Sequence, residues 1–138
     1  MGVIKQATIK NTRQLAEANK GANTVTTLGE VLDLTAGLAV PATSASTRDT
    51  ILGVCNQTIA AADALTRVLY IVPSKGDTFI FPTTNNSDAG HNGQAMILGA
   101  SSSIVNNTGT TSAVGVVRQV EPYGAASDKL IIGQFITV

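Results

Sequence analysis

Tryptophan is absent from the 138-residue chain, and cysteine and histidine occur once each, as Cys55 and His91. A single cysteine forms no intrachain disulfide. A single histidine excludes the paired-histidine zinc sites and, with them, most mononuclear catalytic metal centres. Aromatic residues make up 4% and are scattered, which counts against stacking platforms for single-stranded nucleic acid. Charged residues make up 13%, nine of each sign, against roughly 25% in an ordinary globular chain. A nucleic-acid footprint would need a clustered basic face, and there is none. No apolar stretch approaches the roughly 18 residues needed to cross a bilayer. The start of the chain lacks the apolar run and cleavage site of a secretory signal. The expectation is a chain made in a cytoplasm, without a cofactor, a metal, a membrane or a nucleic-acid partner.

What is present is neutral polarity and frequent short strands. Hydrophobic residues make up 43%, enough for one modest core, and Thr, Ser, Asn and Gln supply the polar surface. Such a surface carries little electrostatic self-repulsion and suits packing against many copies of something. Residues 1–27 stand apart. They are weakly apolar, and large apolar side chains do not recur there at a core-filling spacing, so the segment cannot offset its own ordering entropy. The chain divides into an N-terminal arm, 1–27, and a β-rich body, 28–138. Residues 1–30 hold four basic and two acidic groups, and the remainder five and seven. A mildly basic arm on a mildly acidic body is compatible with contact between copies.

Strand and turn signals alternate at about the 8–12-residue spacing of sandwiches and barrels. Val3–Lys10 alternates weakly and reads as a strand that needs a partner. Gly29–Leu34 is a strand, Thr35-Ala36-Gly37 turns, and Leu38-Ala39-Val40 runs to Pro41, which marks an edge or an exit. Ile51–Thr58 contains Gly53, a candidate bulge or close approach. Arg67–Val72 is continuous enough to be buried on both faces. Ser74–Asp77 turns into Thr78–Phe81 as a hairpin partner. Loop 83–93 precedes strand Gln94–Leu98, and Ile104-Val105, Ala113–Val120 and Lys129–Val138 complete the set. Helix is favoured only over Asn11–Lys20, with Asn11 as cap and Gly21 as stop, and over the alanine run Ile59–Ala64. The predicted fold class is all-β: a small β-sandwich or barrel-like body, an extended arm and at most one or two short helical turns.

Catalytic chemistry finds little support. His91 lies in Asp88-Ala89-Gly90-His91-Asn92-Gly93, which reads as a solvated polar turn. No serine sits in a Gly-x-Ser-x-Gly elbow. Cys55 follows the apolar run Ile51-Leu52-Gly53-Val54 and reads as a small buried hydrophobe, whereas a nucleophilic thiolate needs access and a positive neighbour. Asp49, Asp77, Asp88 and Asp128 sit where turns favour Asp for backbone reasons. Phosphate-binding glycine patterns and calcium-loop signatures are missing. The Asn-x-Ser/Thr triplets at Asn56, Asn85 and Asn106 follow from composition. The expectation is that the chain is not an enzyme.

Several segments together resemble a known family. A polar arm is followed by Leu28-Gly29-Glu30-Val31-Leu32-Asp33-Leu34, then Ile51-Leu52-Gly53-Val54, then Gly76-Asp77-Thr78-Phe79-Ile80-Phe81-Pro82, then Val114-Gly115-Val116-Val117 and a last strand. This is similar to the capsid decoration, or cement, proteins of tailed bacteriophages. The resemblance implies a β-rich body, a homotrimer, and the major capsid protein as partner on the outer surface of the expanded head, with no catalytic residues. The arm then has a role: Val3, Ile4, Lys5, Gln6, Ala7, Thr8, Ile9 and Lys10 add a strand to an exposed sheet edge, and Arg13 and Lys20 meet acidic groups of the partner. A different reading makes the chain a receptor- or glycan-binding module of a head fibre or tail, with loops 83–93 and 106–112 as its recognition surface. Against it, Tyr70, Phe79, Phe81 and Phe135 lie in strands and read as core, leaving Tyr123 as the one aromatic outside them.

Overall fold

A computed structural model describes residues 4–5, 14–21, 24–60, 66–99, 104–108 and 112–136. The chain is all-β, with two antiparallel sheets and no long helix among those residues. The strands are β1 (Ile4–Lys5), β2 (Gln14–Asn19), β3 (Val31–Thr35), β4 (Leu38–Pro41), β5 (Ile51–Cys55), β6 (Arg67–Val72), β7 (Phe79–Pro82), β8 (Ala95–Met96), β9 (Val117–Pro122) and β10 (Leu130–Phe135). Two short 3-10 turns occur at Ala89–His91 and Ala126–Asp128. The front sheet has the order β1-β7-β10-β9-β8 and the back sheet β2-β6-β5-β3-β4.

Alternation decides which side chains meet. In β3 and β5 of the back sheet, Val31 and Val54 point to one face while Leu32 and Cys55 point to the other. Val31, Val54 and Ile71 join Phe79, Phe81, Val117, Ile131 and Phe135 of the front sheet in one core between the two sheets. The three phenylalanine rings lie 5.1–6.1 Å apart, two of the pairs edge to face, the arrangement their quadrupoles favour. Leu32, Ala39, Cys55, Ile59 and Val68 form a second cluster on the far face of the back sheet. That face has its own cover: Thr26 and Ile59 exchange backbone bonds across it, at 3.0 and 2.9 Å.

Both sheets are drawn closed by bridges beyond their named strands. In the back sheet Lys20 extends β2 and pairs in parallel with Ala39 of β4, and Gly21 N donates to Ala39 O at 3.2 Å. The two edge strands of that sheet are thereby joined. In the front sheet Val105 pairs with both Thr83, beyond β7, and Leu98, beyond β8. Val105 N donates to Pro82 O at 2.9 Å and Thr84 N to Val105 O at 3.1 Å. Joining edges removes templates for uncontrolled pairing.

The structure corrects several expectations. Asn11–Lys20 was expected to be helical, but its described part is strand β2, paired with β6 from Gln14↔Val72 to Asn19↔Arg67. Its side chains alternate between exposed and half-buried from Ala16 onward, a period-2 pattern that tertiary pairing selects over helix propensity. The described residues among 14–27, which the sequence places in the arm, pack with the body: β2 belongs to the back sheet, and Lys20 and Thr26 are buried. Within the expected helical run 59–64, Ile59 makes an extended bridge, and 61–65 lie outside the described residues. β6 and β7 are not a hairpin; the turn at Ser74–Asp77 carries the chain from one sheet to the other. β9 begins at Val117 and runs through Pro122. Gly53 fulfils its expectation: a Cβ there would lie 2.0 Å from Ile71 O, and the β3–β5 register shifts beside it.

Candidate interaction surface

The residues with chemical potential are dispersed and structurally employed. Cys55 is buried in the back-sheet cluster, and its Sγ donates to Gln57 O at 2.9 Å. Burial pushes the thiol above its ordinary range, against the lowering effect of that hydrogen bond, so the protonated, non-nucleophilic form is favoured. His91 ends the 3-10 turn at the β8–β9 end of the front sheet, in the other half of the molecule. Its ring is half-buried, where the sequence predicted a solvated one. Three of the turn aspartates bond backbone within their own turns: Asp77 Oδ2 accepts from Ser74 N at 3.0 Å, Asp88 Oδ1 from Gly90 N at 2.8 Å and Asp128 Oδ2 from Ala125 N at 2.9 Å. Asp49 is exposed. Among the described residues no three His, Cys, Asp or Glu side chains group to hold a metal ion, and no helix is long and apolar enough to cross a membrane.

Among the described residues, two shallow clefts measure about 270 and 260 Å³. Both fall below the roughly 300 Å³ at which small-molecule pockets begin. The first runs along the exposed Glu17–Arg67 ion pair, 2.9 Å long. The second opens between the sheets beside Arg48, Ile51, Val72 and Phe135.

The edge of β7 is the more informative feature. One side of β7 pairs with β10 along its whole length. On the other side Val105 occupies Pro82 and Thr84, and β1 occupies the remainder, with Ile4 opposite Ile80 and Lys5 opposite Phe79. An N-terminal extended segment thus completes an edge that the rest of the fold leaves open at 79–80. Ile4 and Lys5 are therefore brought to a sheet edge, that of their own chain. Val3, Gln6, Ala7, Thr8, Ile9, Lys10 and Arg13 lie outside the described residues. Lys20 faces inward: it is buried, and its Nζ donates to Gly21 O at 3.3 Å and Thr24 O at 2.8 Å. Its role is to satisfy carbonyls where the back sheet joins its edges, so it is unavailable to an acidic partner.

The polar loops are ordered by amides that sequence reading passed over. Asn107 is 2% exposed. Its Oδ1 accepts from Asn85 N at 2.9 Å and Thr84 Oγ1 at 3.2 Å, and its Nδ2 donates to Asn85 O at 3.2 Å and Asn86 O at 3.1 Å. All four hydrogen-bonding positions of one amide are used to hold loop 83–87. A similar surprise is Asp33, buried in β3, whose Oδ2 accepts from Ser46 Oγ at 2.6 Å. Its position inside Val31-Leu32-Asp33-Leu34, a carboxylate within an apolar strand, was the available signal. A scan against protein-family models finds no match to this chain, and a search of curated proteins also finds none.

Proposed function

We propose that the chain is a structural virion protein that binds the outer surface of an expanded icosahedral phage head and bridges neighbouring subunits of the major capsid protein as a homotrimer. The observation that carries this reading is the pairing of Ile4–Lys5 with the 79–80 edge of β7. It pairs an extended N-terminal segment with an open sheet edge, the two components of strand addition between chains. A neutral polar surface and the bridges that join other strand edges among the described residues accord with the same role. Binding the expanded lattice in preference to its immature form stabilises that lattice by mass action. A trimer gains effective concentration at each further contact, so single contacts need not be strong.

The direct test replaces residues 1–10 with a single methionine, which leaves β2 and the body intact. Cosedimentation with purified expanded heads should be lost while the thermal melt of the body is kept. Undiminished decoration by the truncated protein would retire the arm mechanism. A second reading, a glycan-binding module, draws on one observation. Tyr123 is exposed, and its loop reaches the polar segment 83–88 through a bond from Ser87 N to Ala126 O at 3.1 Å. A glycan array without hits would remove that reading.

A further inference from the structure

The end of the β8–β9 ladder carries a chemically reactive pair of residues. Asn92 is the only asparagine in the chain that is followed by glycine. In an unfolded chain such a pair rearranges readily, because a glycine nitrogen with no neighbouring Cβ reaches the asparagine side-chain carbonyl unhindered. Asn92 and Gly93 are the two central residues of a tight turn. Gln94 N donates to His91 O at 3.0 Å, Asn92 has φ −57° and ψ 132°, and Gly93 has φ 84°. These are the angles of a type II turn, which favours glycine at its second central position.

Gln119 holds both reacting groups of this pair. Ala95 pairs with Arg118. One step further along the ladder, Gln119 N donates to Gln94 O at 3.1 Å, and Gly93 N donates to Gln119 O at 2.8 Å. The Gln119 side chain, on a residue 1% exposed, donates through Nε2 to Asp88 O at 2.8 Å and to Asn92 Oδ1 at 2.9 Å. A backbone carbonyl only accepts, so the bond to Asp88 O fixes which end of the Gln119 amide faces the turn. The other Nε2 proton then holds Asn92 with its oxygen inward. The nucleophilic nitrogen and the electrophilic side chain of one Asn-Gly pair are thus tied to the main chain and the side chain of a single residue.

We propose that Asn92-Gly93 is a deamidation site that Gln119 keeps shut while the β8–β9 end is folded. In the reaction Gly93 N attacks Cγ of Asn92 and gives up its proton. The bond from Cγ to the amide nitrogen breaks, and ammonia leaves with that proton. Water then opens the resulting succinimide at either carbonyl, to aspartate or to isoaspartate. Ring closure needs Gly93 N eclipsed with Cβ about the Asn92 Cα–C bond. At ψ 132° the nitrogen is rotated out of that alignment, and its hydrogen is engaged by Gln119 O. The bond to Oδ1 polarises Cγ and taken alone favours attack, so the lock is one of position. Conversion adds a negative charge beside Asp88, and the isoaspartyl product inserts a methylene into the main chain of the His91–Gln94 turn.

The test is incubation of the full-length protein at mildly alkaline pH, folded and in urea, with peptide mapping by mass spectrometry to locate amide-to-acid conversion. In urea Asn92 is expected to convert faster than any other asparagine. In the folded protein its rate should fall by about tenfold or more, because the reactive conformer is reached only through local opening. Gln119→Met keeps side-chain length and removes the donor, so the folded variant should convert Asn92 faster than the parent. A faster asparagine elsewhere in urea, equal rates in the folded and unfolded parent, or a parental or slower rate in the variant overturns the proposal. A measurement on the parent alone serves if the variant does not fold. As urea rises below the unfolding transition, hydrogen exchange at the Gly93 amide and conversion of Asn92 should accelerate together, and conversion with Gly93 still protected also overturns the proposal. Head decoration is measured separately, so either result leaves the function proposed above to its own test.

Discussion

The two halves of the molecule solve the same problem with different materials. The front sheet encloses three phenylalanines, two of them fully buried, and shares them with the near face of the back sheet. The back sheet folds its far face around Leu32, Ala39, Cys55, Ile59 and Val68, with the half-buried Tyr70 packed against them. Three phenylalanine rings fill the space between the two sheets, whereas mainly aliphatic side chains fill the far face of the sheet whose edges meet at Lys20 and Ala39. Each half ends in a buried polar anchor, Asn107 in front and Lys20 behind. The contrast teaches that closure at the sheet edges and filling of the core are separate tasks, and that among the described residues the N-terminal segment takes the 79–80 edge of β7.

Substitution can break this contrast. The largest expected effect is Phe81→Ala, which should cost about 3–5 kcal/mol because the cavity is walled by both sheets and cannot collapse. Ile59→Ala, in the smaller back cluster, which holds no phenylalanine, should cost about 2–3 kcal/mol. Denaturant unfolding measures both, and equal losses would erase the distinction. Next is Asn107→Ala, which leaves loop groups without their amide partner at about 1–3 kcal/mol; hydrogen exchange at the Asn85 amide should accelerate in that variant.

Much of the architecture was legible because it rests on local chemistry. The turn at Thr35-Ala36-Gly37 needs positive φ, and Ala36 and Gly37 adopt 51° and 80°. Gly53 marked a close approach, and the apolar run of β6 marked a strand, although only Val68 and Ile71 of it are buried. The candidate site was less visible. Gln94 and Gln119 are separated in sequence and become a pair only through the β8–β9 register. Asn107 looks like any loop asparagine until the fold surrounds it. The segment 14–20 combines helix-permissive residues with a weak alternation, and only pairing with β6 decides between them. Local rules find turns and strands, but not which distant polar groups are enclosed together.

Alkaline pH sharpens the comparison further. Burial raises the Cys55 pKa above an unfolded value of about 8.5. The folded state therefore holds this proton more tightly, and its contribution is complete below the unfolded value and lost as pH rises through the folded one. A pH series of melts should show an alkaline decline that Cys55→Ala lacks, with no counterpart from the front core. The smallest effect is expected at the surface. Glu17 and Arg67 pair at 2.9 Å, but their side chains are 52% and 53% exposed, so Glu17→Ala should change stability by less than about 1 kcal/mol.

The central claim is that the body is complete without the N-terminal segment and that this segment, as a strand, carries assembly. Ile4→Pro with Lys5→Pro removes both backbone donors from β1, and so weakens its pairing with β7, without substituting any residue of the body. Cosedimentation of this double variant with expanded heads, alongside its melt, tests the claim most directly. The account expects an unfolding free energy within about 1 kcal/mol of the parent and decoration lost. Decoration at parental level, with the same intact body, would contradict it.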